Sequence, residues 1–307
     1  MFSQLANKMK KVHPGNSSKF HTAVQEIGEP EKQQEARQIL PADSELNSAF
    51  ENVIMDMELS PEKLSEMRQL SNDKKWLVVT QHNAKMSENI DSQAEKSIQK
   101  MIAGINILRA EMGTVEILNT LNQVEVSLRT DPVAWVNAFI QLGGCKLLLN
   151  LLEIIHHRSD NGNQGDEQID LLHSAIRTMK AIMNTARGLR EVLNSSAGLN
   201  LIALCLECQD TKSKTSVVQM LLAVSLLSQS GYQKVLDAMS HYAESKSEPR
   251  FETILVDLNE SDTEYNIAAF ALINVLINSS PELPLREIIR SEFVDLGLEK
   301  KIEVQFF

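Results

Sequence analysis

Residues 144–153 read Gly-Cys-Lys-Leu-Leu-Leu-Asn-Leu-Leu-Glu, and residues 198–207 read Gly-Leu-Asn-Leu-Ile-Ala-Leu-Cys-Leu-Glu. Each segment begins with Gly, ends with Glu and places apolar side chains three and four positions apart, which is the spacing of one helix face. A segment that recurs with the same apolar phase is typical of stacked helical repeats. Because such stacks usually present binding surfaces, the pattern favours a binding protein over a catalyst.

The composition of the chain also fits packed helices. Its 307 residues are 43% hydrophobic but only 5% aromatic, and its 12 Gly and 8 Pro are few for the tight turns of an all-β fold. The formal net charge of −11 argues against a nucleic-acid partner, which requires clustered Lys and Arg. We find no apolar run of transmembrane length and no signal-type segment, and three Cys indicate a reducing compartment, so we expect a cytoplasmic protein.

The pattern along the chain changes twice. Residues 1–45 are polar and interrupted by Pro and Gly, and we expect a disordered tail, although its first 13 residues have the apolar and Lys spacing of a short helix that touches an anionic membrane. Residues 46–92 predict a small subdomain of several short helices, and residues 93–300 predict longer helices. We therefore predict an all-α protein in which a small helical subdomain is followed by an armadillo-repeat right-handed superhelix.

Two predicted helices, at residues 216–227 and 266–277, are apolar nearly all round. Such helices are buried on most sides. In a three-helix armadillo repeat this is the character of the central stacked helix, which also lines the groove.

The sequence offers no convincing catalytic or metal-binding motif. Cys205 and Cys208 form a single CxxC without a second pair or a His set, so we interpret them as buried thiols. His156 and His157 are adjacent on a predicted helix and do not face one another, which disfavours a shared metal. We predict no enzyme activity, no catalytic residue and no metal site.

The segment Asp-Pro-Val-Ala-Trp-Val at 131–136 is a more specific pattern. Asp131 is expected to cap a helix that has Pro132 in its first turn, and Trp135 would pack on the preceding repeat. A second specific string is Ile-Arg-Ser-Glu-Phe-Val-Asp-Leu-Gly-Leu at 289–298. With weaker matches at 50–63, 180–188 and 272–277, these segments resemble the N-terminal regulatory region of Diaphanous-related formins over about residues 46–300.

This resemblance implies a GTPase-binding subdomain at 46–92 and an armadillo-repeat domain at 93–300. In the family, a C-terminal autoregulatory helix of the same protein binds the repeats and keeps the actin-assembly domain inactive. A GTP-loaded Rho-family GTPase then binds the subdomain and the first repeats and releases that helix. The resemblance implies a cytoplasmic effector at the actin cytoskeleton and cell cortex. It implies no cofactor in this chain, since GTP and Mg²⁺ belong to the GTPase, and contact with actin only through domains outside these residues.

The resemblance also indicates contact residues. Those for the GTPase are Leu59, Lys63, Lys74 and Trp76 in the subdomain and Val126, Arg129, Thr130 and Asp131 in the first repeats. Those for the autoregulatory helix are Lys180, Asn184, Ala223 and Leu226. Family members often carry Asn where this chain has Arg-Thr-Asp at 129–131, so the choice of GTPase stays open.

The groove has a physical basis of its own. Ala223 and Leu226 are three apart on an apolar helix, and a small residue beside a branched one opens a slot for an apolar side chain of a partner helix. The alternative is that both residues are simply core. Lys180 is harder to explain as core, because Lys is almost never buried without a partner.

Two other functions compete with this hypothesis. An armadillo-type scaffold unrelated to formins would bind extended peptides, but such scaffolds carry a ladder of groove Asn and Trp, and Trp occurs here only at 76 and 135. An enzyme would require a motif that the sequence does not contain. A formin-type regulatory module is therefore the preferred interpretation.

Overall fold

The computed structural model describes residues 41–57, 61–160, 165–258 and 262–306. The predictions made for residues 1–40 and for Leu59 lie outside the described residues. The first helix of the described residues begins at Asp43, a little before the expected end of the tail at residue 45.

The described residues form helices and no strand. In chain order the helices are α1 (Asp43–Asp56), α2 (Pro61–Arg68), α3 (Asn72–Arg109), α4 (Val115–Thr130), α5 (Val133–Gln141), α6 (Gly144–Asp160), α7 (Asp166–Met183), α8 (Ala186–Asn194), α9 (Gly198–Leu204, continued by a 3-10 turn at Cys205–Glu207), α10 (Thr211–Leu227), α11 (Gln229–Lys246), α12 (Glu252–Val256), α13 (Thr263–Asn278), α14 (Leu283–Asp295) and α15 (Leu298–Phe306). The prediction of an all-α fold is confirmed.

Helices α1, α2 and the beginning of α3 form a small subdomain with its own core. Phe50, Val53, Ile54 and Val79 are buried there. On its surface the Arg68 guanidinium donates to the Glu51 carboxylate at 2.9 Å, linking α2 to α1. This apolar cluster is separate from the core of the repeats.

The prediction of only short helices in this region was wrong. Helix α3 runs unbroken for 38 residues through the expected boundary at 92/93, because neither Pro nor Gly interrupts it before Gly104. Its residues 81–93 are almost entirely exposed, and the buried core of the repeats starts at Ala94. One continuous helix thus joins the two apolar cores.

The rest of the chain is built from three-helix units. Helices α5, α6 and α7 form one unit, α8, α9 and α10 the next, and α11, α12 and α13 a third, while α14 and α15 begin a fourth. Helix α4 occupies the third-helix position ahead of these units, because it packs directly against α7. The two Gly-to-Glu ladders are the second helices of neighbouring units, α6 and α9, as a repeat predicts.

A second recurrence lies where a third helix is followed by the next first helix. The backbone N–H of Gly188 donates to Thr185 Oγ1 at 3.0 Å, and that of Gly231 donates to Ser228 Oγ at 3.0 Å. A Cβ at Gly188 would lie 2.3 Å from the Ile182 carbonyl oxygen, and one at Gly231 would lie 2.4 Å from that of Val224. Only Gly permits this close approach of each first helix to the preceding third helix.

Trp135, Cys205 and Cys208 are buried, as the sequence predicted. Trp135 is buried and stacks on Phe139, and its helix α5 packs against α3. Cys145, Cys205 and Cys208 are buried free thiols. Burial raises the pKa of the Cys208 thiol to about 12, so this group is a poor nucleophile at neutral pH.

One local prediction was wrong. Asp131 does not cap α5, because Pro132 occupies the N-cap position and separates Asp131 from the first helical amides. Two backbone positions with positive φ mark later helix boundaries: α12 begins after Phe251, which has a φ of +80°, and Gly297, with a φ of +85°, lies between α14 and α15.

No single helix among the described residues is long and apolar enough to cross a membrane. Only together do the two helices of the bent pair Val133–Gln141 and Gly144–Arg158 have the length and apolar composition of a span. Trp135 and Phe139 of the first helix and Leu148 and Leu152 of the second are buried in the repeat core.

The third helices α4, α7, α10 and α13 pack side by side in chain order. We call them the third-helix row. Polar side chains link neighbouring members: Ser174 of α7 donates to Asn122 of α4 at 3.0 Å, and His173 Nδ1 of α7 lies 3.0 Å from Asp210 Oδ2, just before α10. The row therefore combines apolar packing with directional contacts that set its register.

Asp210 is the N-cap of α10, and its carboxylate accepts from the backbone N–H of Ser213 at 2.7 Å. Burial opposes its ionisation, but hydrogen bonds from Ser213 and His173 outweigh burial and lower the pKa of Asp210. The stabilisation is then fully present above the pKa of an unfolded Asp and is lost as the pH falls through the lower folded value.

We predict that Asp210→Ala lowers the free energy of unfolding by about 1 kcal/mol at pH 7, as loss of a helix cap does. The difference from the parent chain should shrink below about pH 4. Urea unfolding at several pH values measures it, with Asp170→Ala at an exposed position of α7 as the matched control. A pH-independent difference between Asp210→Ala and the parent chain would contradict the capping role.

Candidate functional site

The predicted GTPase-binding residues of the repeats form a surface at the end of α4. Val126 is 59% exposed, Arg129 and Thr130 are also exposed, and Asp131 is half-buried. We call these four residues the α4 patch. Thr130 Oγ1 donates to the Val126 carbonyl at 2.9 Å, within the helix, so its methyl group and the Val126 side chain are free to meet a partner.

Arg129 is not free in this patch. Its guanidinium pairs with Oε1 of Glu125 at 2.6 Å, and Arg177 of α7 pairs with Oε2 of the same carboxylate. Glu125 is buried, and its negative charge is shared between the α4 patch and the next helix of the third-helix row.

The predicted residues of the small subdomain differ in exposure. Lys63 on α2 and Lys74 in the first turn of α3 are both exposed. Trp76 is half-buried against the small core, and its Nε1 atom is buried with no hydrogen-bond acceptor among the described residues. The two Lys side chains are therefore accessible at the surface, whereas Trp76 packs against the core of the subdomain.

The predicted groove residues lie on two neighbouring helices. Lys180 and Asn184 are at the end of α7, and Ala223 and Leu226 are on α10. Leu226 is 64% exposed and Ala223 is half-buried, so Leu226 is not a core residue. We call the surface formed by these four residues the α7–α10 groove.

Lys180 has partners within the structure. Its Nζ donates to Gln219 Oε1 at 2.5 Å and to Ser216 Oγ at 3.4 Å, both on α10. Burial lowers the pKa of Lys180; the field of Glu264 opposes this shift and that of Arg129 adds to it. The groove thus carries a partly buried amine held by neutral oxygens, and Arg129 of the α4 patch is close enough to influence it.

Sequence reasoning missed several residues next to these sites. Val133, which is 75% exposed, extends the apolar part of the α4 patch across Pro132. Glu125 and Arg177 were missed because scattered charges on helices usually indicate a solvated face. Gln219 was missed because its partner Lys180 is 39 residues away in the chain.

Comparison with known protein families assigns the chain. Residues 38–226 match the Diaphanous GTPase-binding Domain, and residues 232–304 match the Diaphanous FH3 Domain. The chain belongs to the Diaphanous-related formin family. This membership confirms the predicted resemblance and excludes the alternative of an armadillo scaffold unrelated to formins.

Curated formins align with most of the chain. It is 28% identical over 281 residues to the Disheveled-associated activator of morphogenesis 1 of Mus musculus, covering 86% of this chain and 25% of that protein. It is 29% identical over 267 residues to Protein diaphanous homolog 3 of Homo sapiens, covering 84% of this chain and 21% of that protein. The chain therefore spans a quarter or less of the length of these relatives.

The fold is similar to that of a solved formin. The structure of E. histolytica Formin1, determined bound to EhRho1-GTPgammaS, matches with a TM-score of 0.58 at 17% identity, covering 83% of this chain and 86% of that one. At this identity the likeness concerns the fold, and it supports the armadillo-type architecture.

Proposed function

We propose that this formin chain is a Rho-family GTPase effector module that controls actin filament assembly by autoinhibition. The observation that carries the proposal is the match to the Diaphanous GTPase-binding Domain over residues 38–226, a span that contains both the small subdomain and the α4 patch. The solved formin with the similar fold was determined with a Rho protein bound, which supports a GTPase of this class as the partner.

The long helix α3 gives the GTPase site its geometry. Lys74 and Trp76 lie near the start of α3, and Ala94, where the repeat core begins, follows Trp76 by 18 residues. At 1.5 Å per residue these two positions are about 27 Å apart along the helix. This stretch of α3 sets the spacing between the small core and the start of the repeat core, and one GTPase would bridge it.

The α7–α10 groove is the proposed site of the C-terminal autoregulatory helix. The exposed Leu226 and the small Ala223 offer an apolar slot, and Lys180 and Asn184 offer polar groups at its edge. Occupation of the groove would keep the actin-assembly domain inactive, and actin would be contacted only through that domain. The module would act in the cytoplasm at the actin cytoskeleton and cell cortex, with GTP and Mg²⁺ carried by the GTPase.

The two sites must influence each other for release to occur. Coupling between two binding sites is reciprocal. If the GTPase lowers the affinity of the chain for the autoregulatory helix, that helix lowers the affinity for the GTPase by the same factor. A tenfold effect corresponds to about 1.4 kcal/mol.

Isothermal titration of the chain against a panel of Rho-family GTPases tests the proposal. Each GTPase is loaded with GDP or with a non-hydrolysable GTP analogue. We expect binding that is restricted to the GTP form of one or a few members. Absence of binding to every member, or equal binding of both nucleotide forms, would overturn the effector function.

A break in the exposed part of α3 tests whether one GTPase uses both surfaces. Ser87→Pro removes a backbone donor and kinks the helix between the two cores. We expect the GTPase affinity to fall at least about tenfold, because misalignment prevents simultaneous contact. Ser87→Ala, which keeps the helix, is the matched control, and unchanged affinity in Ser87→Pro would show that the two surfaces are not used together.

Two carboxylate substitutions test the separation of the sites. Val126→Asp places a charge in the α4 patch, and Ala223→Asp places one in the α7–α10 groove. We expect Val126→Asp to lower GTPase affinity about tenfold or more with little effect on an autoregulatory-helix peptide, and Ala223→Asp to do the reverse. Titration of each variant with both ligands measures this.

Val256 is also an exposed Val at a helix end, on α12, which contributes no residue to either surface, so Val256→Asp is the matched control. It should leave both affinities unchanged. Equal losses for both ligands in Val126→Asp would contradict the assignment of two separate sites.

A further inference from the structure

Glu125 stands out among the charged residues of the molecule. Across the described ranges it is the one charged side chain that is fully buried, with 2% of its surface exposed. A buried carboxylate is costly unless positive groups and hydrogen bonds compensate it. Here two arginines do so, Arg129 from its own helix and Arg177 from the next helix of the third-helix row.

The two arginines belong to different proposed sites. Arg129 is part of the α4 patch and is largely exposed beyond its pairing atom. Arg177 lies about one helical turn before Lys180 on α7, and its side chain is 42% exposed. The Glu125 carboxylate therefore pairs through Oε1 with Arg129 of the α4 patch and through Oε2 with Arg177, which precedes the groove residue Lys180 on α7.

Polar contacts between α4 and α7 lie close to Glu125. About one turn before it in α4, Ser174 donates to Asn122, and Thr178 Oγ1 lies 3.4 Å from the Leu121 carbonyl. These contacts hold α4 against α7 beside the carboxylate. What can still change is how the two carboxylate oxygens of Glu125 are divided between Arg129 and Arg177.

We propose that Glu125 is the residue through which the α4 patch and the α7–α10 groove are coupled. This inference rests on the proposed function, and it specifies the regulation of the same sites. An acidic group of the bound GTPase competes with Glu125 for Arg129. Glu125 then turns both oxygens to Arg177, forming the two-pronged pair that Arg and carboxylate favour, and draws Arg177 toward α4.

The consequence is a loss of positive charge at the groove. With Arg129 withdrawn, Arg177 is fully neutralised by Glu125 and no longer contributes to the potential beside Lys180. A polar or acidic group of the autoregulatory helix that depends on this potential is bound less tightly. The charge of Arg129 lowers the pKa of Lys180, which supports electrostatic communication between the α4 patch and the α7–α10 groove.

The test is a measurement of coupling in the full 307-residue chain. A fluorescent peptide copying the autoregulatory helix of a Diaphanous-related formin is titrated in the absence and in the saturating presence of the GTPase that binds in the panel above, loaded with the GTP analogue. The ratio of the two dissociation constants is the coupling factor. A purely structural role of Glu125 would change stability or both affinities but would leave this ratio unchanged.

We expect a coupling factor of about ten for the parent chain, which falls below about two in Glu125→Gln. Glu116→Gln removes the same charge from an exposed position of the same helix and is the matched control, with an unchanged factor expected. Arg177→Met is the second variant, which keeps the Glu125–Arg129 pair. It should also abolish coupling, and it keeps the test valid if Glu125→Gln fails to fold.

The outcomes separate this inference from the proposed function. If the parent chain binds both ligands with antagonism and either Glu125→Gln or Arg177→Met folds and retains the full factor, the inference is wrong and the function stands. Retained coupling in these variants would point instead to direct repulsion or overlap between the ligands. If the parent chain shows no antagonism at all, the proposed function fails and the inference fails with it.

Discussion

The side-by-side packing of the third helices α4, α7, α10 and α13 is the constraint on which the rest of the structure depends. A single three-helix unit cannot bury its own apolar faces, so each unit is stable only against its neighbours. The close approach at Gly188 and Gly231 brings each following first helix onto this row. The same packing places both proposed sites on adjacent members of one row, which makes communication between them possible through side chains alone.

The sequence was sufficient for the fold class and for most of the helices. Apolar periodicity depends on short-range spacing, and the ladders at 144–153 and 198–207 report it directly. It could not show that α3 is one long helix, because the exposed residues 81–93 carry no apolar stripe and resemble a loop between two short helices. Nor could it place the helix start at 131–133, where a shift of one residue decides whether Asp131 or Pro132 occupies the cap position.

The candidate sites were less predictable for a different reason. Whether a residue on an apolar helix is buried depends on what packs against it, so Ala223 and Leu226 could be distinguished from core only by their exposure in the structure. Lys180 was selected from the sequence because Lys is rarely buried, but its partners Gln219 and Ser216 come from another helix, 39 and 36 residues away in the chain, and could not be foreseen. Nothing in the sequence indicated that Glu125 is buried, because a buried Glu and a solvated Glu occupy the same kind of position on a helix.

The energy required of Glu125 is small. A tenfold coupling corresponds to about 1.4 kcal/mol, and a hydrogen bond to a charged group contributes about 1.5–3 kcal/mol. Glu125 loses one such contact to Arg129 and strengthens another to Arg177. This change is large enough to supply the coupling energy without any displacement of the helices. A rigid row suits this mechanism better than a flexible one, because relaxation of α4 away from α7 would dissipate the change in pairing before it reached the groove.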